Sequence, residues 1–152
     1  MRLVDVSNIH VNISVNNQKD LFEIVGGQLR DKGFTAADYV EALSAREMEF
    51  PTGLPVSGGV AIPHTDASHV VRDAIAIATL KNPVEFRQMG GDDDDTVDVR
   101  VVFMLALAKS GEHLTALKKV VKSIQSNGFI SAIASAKTAE DIAAMVAPIF
   151  ES

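Results

Sequence analysis

The stretch TVDVRVVFMLALA, residues 96–108, is apolar nearly throughout beyond Val101. A run of this kind is typical of a central strand that is covered on both faces. Three shorter strand candidates precede it in the chain, namely GVAI at 59–62, DAIAIATL at 73–80 and PVEF at 83–86. The sequence therefore predicts a sheet with residues 96–108 at its centre.

Helical patterns lie on both sides of these strands. Residues 16–33 carry apolar side chains at helical spacing, and Thr35 with Asp38 predicts the start of a second helix that must end near Pro51. Three helical segments follow the longest strand: SGEHLTALKKVVKSIQ, with Ser110 as N-cap and Leu114, Leu117, Val121 and Ile124 on its apolar face, GFISAIASA, and TAEDIAAMVAPIF, capped by Thr138. Because helices and strands interleave, we predict an α/β fold, a mixed β-sheet flanked by helices in a single compact domain over residues 1–152.

Composition and charge exclude several functional classes. The chain has 152 residues and a net charge of −6 with no basic stripe, which argues against nucleic acid as a partner. No apolar run approaches the length of a membrane span, and Asp5, Ser7 and Asn8 interrupt the apolar core that a signal peptide needs. Cysteine is absent, which excludes thiolate nucleophiles and cysteine-based zinc sites. We therefore expect a cytoplasmic protein that is not inserted in a membrane.

The four histidines fall in different contexts. His64 ends a predicted strand, and His113 lies in the first turn of the helix that begins where the longest strand ends. Junctions between strand ends and helix starts are where α/β sheets usually build their sites, and the N–H groups of a helix start favour a bound anion. His10 lies in a polar N-terminal strand and His69 on a helix predicted after His64, so we expect both on the surface.

The residues around His64 favour a functional role over a structural one. A histidine that closes a strand after a proline is, by itself, more often a structural residue. Gly58 and Gly59, however, permit a close backbone approach, and Pro63 restricts both its own φ and the conformation of Ile62. The ring is therefore expected to project from a stiff segment.

Metal and hydrolase chemistry fit less well. His64, Asp66, His69 and His113 have suitable side chains, but the two histidines five residues apart do not share a helix face as a zinc-binding pair would. The acidic run at 92–95 lacks the spacing and closing glutamate of a calcium loop, so we expect a solvated turn. Neither a G-x-S-x-G elbow nor a phosphate-binding G-x-x-x-x-G-K-[ST] loop occurs.

Phosphoryl transfer through histidine fits the remaining residues. A neutral imidazole nitrogen of His64 can accept a phosphoryl group, Arg46 offers a planar cationic fork to its oxygens, and His113 can donate a hydrogen bond. The position of His113 near a helix start favours a neutral ring. From spacing alone, Arg46 could equally be a solvated charge at a helix end.

Four motifs together resemble a known family. ARE at 45–47, PTGL at 51–54, GVAIPH at 59–64 and EHL at 112–114 occur in the order found in IIA domains of the fructose–mannitol class of the bacterial sugar phosphotransferase system. The stretches REMEFPTGL and DDDDTVDV are most similar to the galactitol-type branch. The resemblance covers nearly the whole chain and implies a mixed sheet flanked by helices.

The resemblance also implies a role for each site residue. His64 would accept a phosphoryl group from the phosphocarrier HPr and pass it to a IIB component, on a cysteine in most of the class, while a IIC permease takes up the sugar. Arg46 and His113 would line the phosphoryl site, with no cofactor. We expect a free carrier whose sugar is not readable from the sequence, because IIA does not contact it. A regulatory IIA of the nitrogen-related branch is the second interpretation, and a metal-dependent hydrolase is a distant third.

Overall fold

The computed structural model describes residues 3–126 and 128–151. Within them lies one five-stranded sheet in the order β1-β4-β5-β3-β2. Parallel pairs join β1 to β4 and β3 to β5, and antiparallel pairs join β4 to β5 and β2 to β3. The strands are β1 (Ile9–Ile13), β2 (Gly53–Leu54), β3 (Val60–Ala61), β4 (Ala74–Arg87) and β5 (Thr96–Ala106). The mixed sheet and the central position of residues 96–106 are as predicted.

One long strand replaces two predicted ones. The segments at 73–80 and 83–86 both belong to β4, which continues past Pro83 with a shift of register between Thr79 and Val84. Thr79 pairs with Val101 and Val84 with Val99, so the residues between them on β4 bulge out of the ladder. A proline has no N–H to donate to the ladder, and a bulge is where a strand can contain one.

Helices cover both faces of the sheet. On one side lie α1 (Gln18–Leu21), a π-helical segment (Phe22–Gly26), α2 (Gly27–Asp31) and α3 (Tyr39–Glu49); on the other lie α4 (Glu112–Ile124), α5 (Phe129–Ser135) and α6 (Ala139–Glu151). Alternate residues of β5 enter the two apolar clusters: Val102, Met104 and Ala106 on the first side, and Val101, Phe103 and Leu105 on the second. This explains why the sequence of β5 is apolar without alternation.

Several helix starts differ from the predictions. The helix α3 begins at Tyr39 rather than after Thr35, whose side chain is buried, and Asp38 makes no capping bond. Gly111 with a φ of 88°, not Ser110, precedes α4. After His64 there is only a 3-10 turn at Ala67–His69 instead of a helix. The cap at Thr138 is confirmed, because its Oγ1 accepts from the Asp141 N–H at 3.1 Å.

The buried face of α4 also differs from its predicted apolar face. Ala116 and Val120 are buried, whereas Leu114 is 55% exposed. The packing of α4 against α5, α6 and β5 sets the rotation of the helix about its axis. The side chains of Ala116 and Val120 face these neighbouring elements. Leu114 is left at the end of the helix beside His113. Among the described residues, no helix is long and apolar enough to cross a membrane.

Candidate functional site

His64 follows β3 on a tightly constrained backbone. Gly59, just before the strand, has a φ of 69°, and a Cβ there would lie 1.9 Å from the Asp98 carbonyl oxygen. Only glycine permits that approach, so the predicted close backbone contact is confirmed at this position. Beyond the strand, the Leu105 N–H donates to the Pro63 carbonyl oxygen at 3.0 Å, which ties the segment carrying His64 to the central strand.

A backbone carbonyl sets the tautomer of the half-buried His64 ring. Nδ1 lies 2.8 Å from the carbonyl oxygen of Ile62. Because a carbonyl oxygen only accepts, Nδ1 carries the proton and Nε2 keeps its lone pair. Burial lowers the pKa of His64 below its usual value; Arg46 also lowers it, while the bond to Ile62 and the charge of Asp66 oppose the change. The ring is therefore neutral at neutral pH.

His113 stacks on His64 from the first turn of α4. The ring centroids are 5.4 Å apart and the ring planes differ by 19°. The Leu107 N–H donates to Nε2 of His113 at 3.1 Å, so the proton of the neutral ring resides on Nδ1. Burial, and to a smaller extent the charge of His64, lowers the pKa of His113 to about 4. The charges of Asp73 and Asp66 act in the opposite direction. The ring is neutral as expected, and burial is the main cause.

Arg46 reaches the two rings from α3. Its guanidinium carbon lies 4.2 Å from the centroid of the Phe50 ring, and Nη1 lies 3.9 Å from Oδ1 of the exposed Asp66. An ion pair that is this long and exposed contributes little stability. Nε of Arg46 is buried and has no hydrogen-bond partner among the described residues. The Arg46 side chain is nevertheless 38% exposed and lines the same cavity as His64, so its guanidinium can reach an anion there.

One cavity brings the three predicted site residues together. Arg46, His64 and His113 line a space of about 560 Å³, with Asp66 and Gly111 among the other lining residues. The cavity lies where α3, the segment after β3 and the start of α4 meet. It contains one permanent cation, two neutral rings and an exposed carboxylate, a set suited to a phosphoryl group that arrives and leaves.

The other two histidines lie outside this cavity. His69 contacts Oδ1 of Asp38 through Nδ1 at 3.0 Å. His10 belongs to β1, at the opposite edge of the sheet from β2 and β3. His10 is half-buried, and its Nε2 has no hydrogen-bond partner among the described residues. Burial, and to a smaller extent the charge of Lys32, lowers the pKa of His10. The prediction of a surface position is therefore wrong for His10, since its side chain turns into the layer beside Lys32 and Gln28.

The metal and calcium interpretations gain no geometric support. In the described ranges 3–126 and 128–151, no group of three or more histidine, cysteine, aspartate or glutamate side chains could hold a metal ion. The acidic run at 92–95 is an exposed turn between β4 and β5. There, Asp95 accepts from the Asp92 N–H at 2.9 Å, which closes the turn on itself. The predicted solvated turn is confirmed.

Comparison with known proteins gives a family for this fold and site. The family model described as phosphoenolpyruvate-dependent sugar phosphotransferase system, EIIA 2, matches residues 2–148. The chain belongs to this EIIA family. Members are components of the sugar phosphotransferase system that act through a phosphohistidine.

Curated EIIA relatives include proteins for two sugar alcohols. The mannitol-specific enzyme IIA component of Staphylococcus aureus is 32% identical over 138 residues, 89% of this chain and 88% of that protein. The galactitol-specific EIIA component of Escherichia coli is 31% identical over 118 residues, 77% of each chain. The resemblance read from the motifs is confirmed at the level of the family.

Solved structures of EIIA proteins share the fold. The complex of enzyme IIA-mannitol with phosphorylated enzyme IIB-mannitol from Escherichia coli superimposes with a TM-score of 0.79 at 21% identity, covering 96% of this chain and 99% of that one. At that identity, the likeness shows the fold alone. Nitrogen regulatory protein IIA-Ntr from Neisseria meningitidis is 31% identical, with a TM-score of 0.77 over 94% of this chain and 95% of that one.

A buried carboxylate beside the EIIA site was missed from the sequence. Glu47, next to Arg46 in α3, is 3% exposed, and both of its oxygens accept from Thr52, from the N–H at 2.7 Å and from the hydroxyl at 2.8 Å. Burial raises the pKa of Glu47 to about 7, against the bonds from Thr52 and the charge of Arg87. Glu47 belongs to the motif ARE and Thr52 to the motif PTGL. These two motifs were the sequence signal that could have pointed to the pair.

Proposed function

We propose that this chain is a phosphoryl carrier that accepts a phosphoryl group on His64 from the phosphocarrier HPr and passes it to a IIB component during uptake of a sugar alcohol. One observation carries the proposal. The Ile62 carbonyl oxygen accepts the proton of His64 Nδ1 at 2.8 Å, and this leaves the Nε2 lone pair for phosphorus. The lowered pKa of the ring favours the same neutral, nucleophilic form.

The transfer onto the chain exchanges one nitrogen–phosphorus bond for another. Nε2 of His64 attacks the phosphorus of the phosphohistidine on HPr. The bond between phosphorus and the donor ring breaks, and its electron pair returns to that ring. In the next step, a thiolate of IIB attacks the same phosphorus, and the electron pair of the broken bond returns to Nε2 of His64. Each step conserves the phosphoryl group and needs no cofactor.

Arg46 and His113 stabilise the phosphoryl group on His64. The Arg46 side chain is 38% exposed and its contact to Asp66 is weak, which leaves the guanidinium available for phosphoryl oxygens. Leu107 occupies Nε2 of His113, so the Nδ1–H of that ring is the donor that remains for the phosphoryl group. Both groups act by positioning and by stabilising negative charge, which is most of what phosphoryl transfer requires of a protein.

Exposed apolar side chains around the cavity suit partner proteins. Leu114 lines the cavity of His64, and Phe50 lines a neighbouring space of about 410 Å³ that also contains Arg46 and His64. Phe50, Met48 and Leu114 are each at least half exposed. Apolar groups at the rim of a polar centre are typical of protein docking. The solved complex of enzyme IIA-mannitol with phosphorylated IIB-mannitol supports IIB as one such partner.

The sugar proposed is a hexitol such as galactitol. The relative that acts in galactitol transport and the similarity of REMEFPTGL to that branch support it. The mannitol-specific relative makes mannitol the direct competitor. Presenting the phosphorylated chain with purified galactitol-type and mannitol-type IIB tests the assignment. Faster transfer to the galactitol-type protein supports galactitol, and faster transfer to the mannitol-type protein overturns it.

A regulatory output is the second candidate. The nitrogen regulatory protein IIA-Ntr is as similar in sequence to this chain as the galactitol relative is. The phosphohistidine chemistry would be the same, but the group would remain on the protein as a signal. Transfer to a IIB protein within seconds favours the carrier, whereas a phosphoprotein that no sugar-type IIB discharges favours the regulator.

The test of the acceptor is labelling with phosphoenolpyruvate, enzyme I and HPr. We expect one acid-labile phosphate on the chain and none on His64→Ala. His69→Ala is the matched control, since His69 contacts Asp38 outside the cavity. Labelling of His64→Ala at the wild-type level would overturn the assignment.

A further inference from the structure

Glu47 is a buried acid that the phosphoryl chemistry does not touch. It is 3% exposed and lies behind the site, in the wall of a separate cavity of about 510 Å³ between α1, α3 and the π-helical segment. The same cavity is lined by Lys19, Glu23 and Glu41, and by Arg87 from β4. A buried carboxylate is costly, so its retention calls for a physical reason.

A chain of hydrogen bonds runs from Glu47 to His64. Thr52 donates its N–H and its hydroxyl to the two Glu47 oxygens, and its Oγ1 accepts the Ile62 N–H at 3.1 Å. The carbonyl of Ile62 then accepts the proton of His64 Nδ1. Strand β2 pairs with β3 only from Gly53 to Leu54, so the Thr52 side chain extends that pairing by one step. Ile62, the residue that orients His64, is therefore held by Thr52.

Glu47 supplies the acceptors for both donors of Thr52 at the end of this chain. Because Thr52 Oγ1 accepts from the Ile62 N–H, its own hydroxyl proton must be donated elsewhere, and Glu47 Oε1 receives it. The second oxygen of Glu47 takes the Thr52 N–H. Two donors thus face two acceptors, a match that an ionised carboxylate makes and that an amide or a protonated acid does not. In either of those, an N–H or O–H of residue 47 would face Thr52 Oγ1, and the hydroxyl proton of Thr52 would lose its buried acceptor.

We propose that Glu47 is a positioning residue for phosphoryl transfer: its carboxylate holds Thr52, and through Thr52 the Ile62 backbone, in the place that keeps the proton of His64 on Nδ1 and its lone pair on Nε2. This rests on the proposed role of His64 as acceptor. Glu47 acts through Thr52 and Ile62 and does not contact the phosphoryl group.

The proposal adds a pH dependence that belongs to neither histidine. Burial raises the pKa of Glu47 to about 7, although Arg87 and the donors of Thr52 favour the charged form. The other charged groups that face its cavity are Lys19, Glu23 and Glu41. Acidification through neutrality therefore protonates Glu47 and loosens the Thr52 bonds, so the Nδ1–H form of His64 is expected to lose population together with Glu47 ionisation.

The direct test is the tautomer of the unphosphorylated protein. Nitrogen-15 NMR of the His64 ring at pH 8 should show one Nδ1–H tautomer in the wild type and a mixture in Glu47→Gln. Transfer from phospho-HPr should slow roughly 10- to 100-fold in that variant, the effect of leaving one buried donor unpaired. Glu140→Gln, an exposed glutamate in α6, should match the wild type in both measurements.

Substitutions at Thr52 give a second route to the same answer. Thr52→Ser keeps both donors and the Oγ acceptor and should behave like the wild type, whereas Thr52→Val loses the hydroxyl and should resemble Glu47→Gln. The double variant of Glu47→Gln with Thr52→Val should be no slower than the slower single variant, because both act through one chain of bonds. If Glu47→Gln fails to fold, the proposal is tested by comparing the His64 tautomer and the transfer rate of Thr52→Ser with those of Thr52→Val.

The proposal is overturned by a folded Glu47→Gln that keeps the single Nδ1–H tautomer and the wild-type transfer rate, or by Thr52→Val and Thr52→Ser behaving alike. Failure of the proposed function would look different. In that case the wild-type protein would accept no phosphate from HPr, while the tautomer of His64 in the unphosphorylated chain would still report whether Glu47 sets it.

Discussion

His64 and Glu47 are connected through Thr52 and Ile62, and burial changes their pKa values in opposite directions. It lowers the pKa of His64 and raises that of Glu47 to about 7, because in both cases the charged form is the one that loses its hydration. The two regions differ in their partners. Both Glu47 oxygens are bonded to Thr52, whereas the nearby Arg46 keeps an unpartnered buried Nε among the described residues.

This difference separates two functions of buried polar groups. A satisfied group such as Glu47 holds its neighbours in place, since any movement leaves a donor unpaired. An unsatisfied group such as Arg46 keeps hydrogen-bonding capacity for a ligand, which in our proposal is the phosphoryl group. The four predictions below test that distinction, starting with the largest expected effect.

Removal of Arg46 should have the largest effect. Arg46→Ala is expected to slow transfer from phospho-HPr by about 10²–10³-fold. Thermal stability should change little, because the ion pair to Asp66 is long and exposed and the stack on Phe50 is weak at an exposed site. Arg46→Lys should recover part of the rate, since it keeps the charge and loses the fork. Stopped-flow or rapid-quench kinetics would measure both.

Arg72→Ala is the matched control for Arg46. Arg72 stacks on Phe34 at 4.3 Å, much as Arg46 stacks on Phe50, but it lies outside the site. A wild-type rate in Arg46→Ala, or an equal loss in Arg72→Ala, would mean that Arg46 is a solvated surface charge.

Glu47 should leave a signature in the pH dependence of stability. Its folded pKa of about 7 exceeds its ordinary value of 4.5, so the folded state binds the extra proton and loses stability as the pH rises between those values. The loss amounts to roughly 3 kcal/mol over the interval. The free energy of unfolding of Glu47→Gln, relative to the wild type, should therefore rise by about that amount from pH 5 to pH 8.

Urea unfolding at the two pH values would measure this difference. His113 contributes with the opposite sign: its pKa is lowered to about 4, so its contribution to stability is present above the unfolded value and is lost as the pH falls. In the wild type the two slopes oppose each other. The Glu47→Gln variant should therefore gain stability with rising pH more steeply than the wild type, and parallel curves would contradict the assigned pKa of Glu47.

His113 should have a smaller effect, on discharge rather than on loading. We expect His113→Ala to accept phosphate and to pass it to IIB about tenfold more slowly, the effect of one lost hydrogen bond to a charged group. His113→Gln keeps an N–H donor and should recover part of the rate. A single-turnover chase from the phosphorylated protein would measure both. If His113→Ala folds but accepts no label, His113 must be the phosphoryl acceptor or an obligatory carrier.

Phe50 should have the smallest effect. Its ring supports the Arg46 guanidinium at 4.2 Å, a contact worth about 0.5–1 kcal/mol at an exposed site. Phe50→Ala should therefore slow transfer a few-fold, and Phe50→Tyr should not. Combining Phe50→Ala with Arg46→Ala should cost no more than Arg46→Ala alone, because the ring acts on the guanidinium. Additive losses would instead indicate that Phe50 contacts a partner protein.

Local patterns predicted much of the fold. The apolar run of β5, the end of α3 before Pro51 and the cap at Thr138 were readable, because each depends on residues adjacent in sequence. The close approach at Gly59 was indicated by the glycine alone, although its partner, the Asp98 carbonyl oxygen, is distant in sequence. The start of α4 was not predicted, because Gly111 rather than the better capping residue Ser110 takes that position. His10 was placed on the surface, since nothing in β1 indicated that α2 would cover it.

The groups available for chemistry can be read from the local motifs: an EIIA-type histidine after a rigid Ile-Pro pair, an arginine, a second histidine and no cysteine. Their geometry comes from the tertiary structure. It stacked His113 on His64, took Arg46 to Asp66 and Phe50, and enclosed Glu47 against Thr52. These contacts join α3, β2, the end of β3 and α4, whose relative positions are set by packing on both faces of the sheet. Helical and strand periodicity indicates which face of an element is apolar, but not which side chain of another element will lie against it.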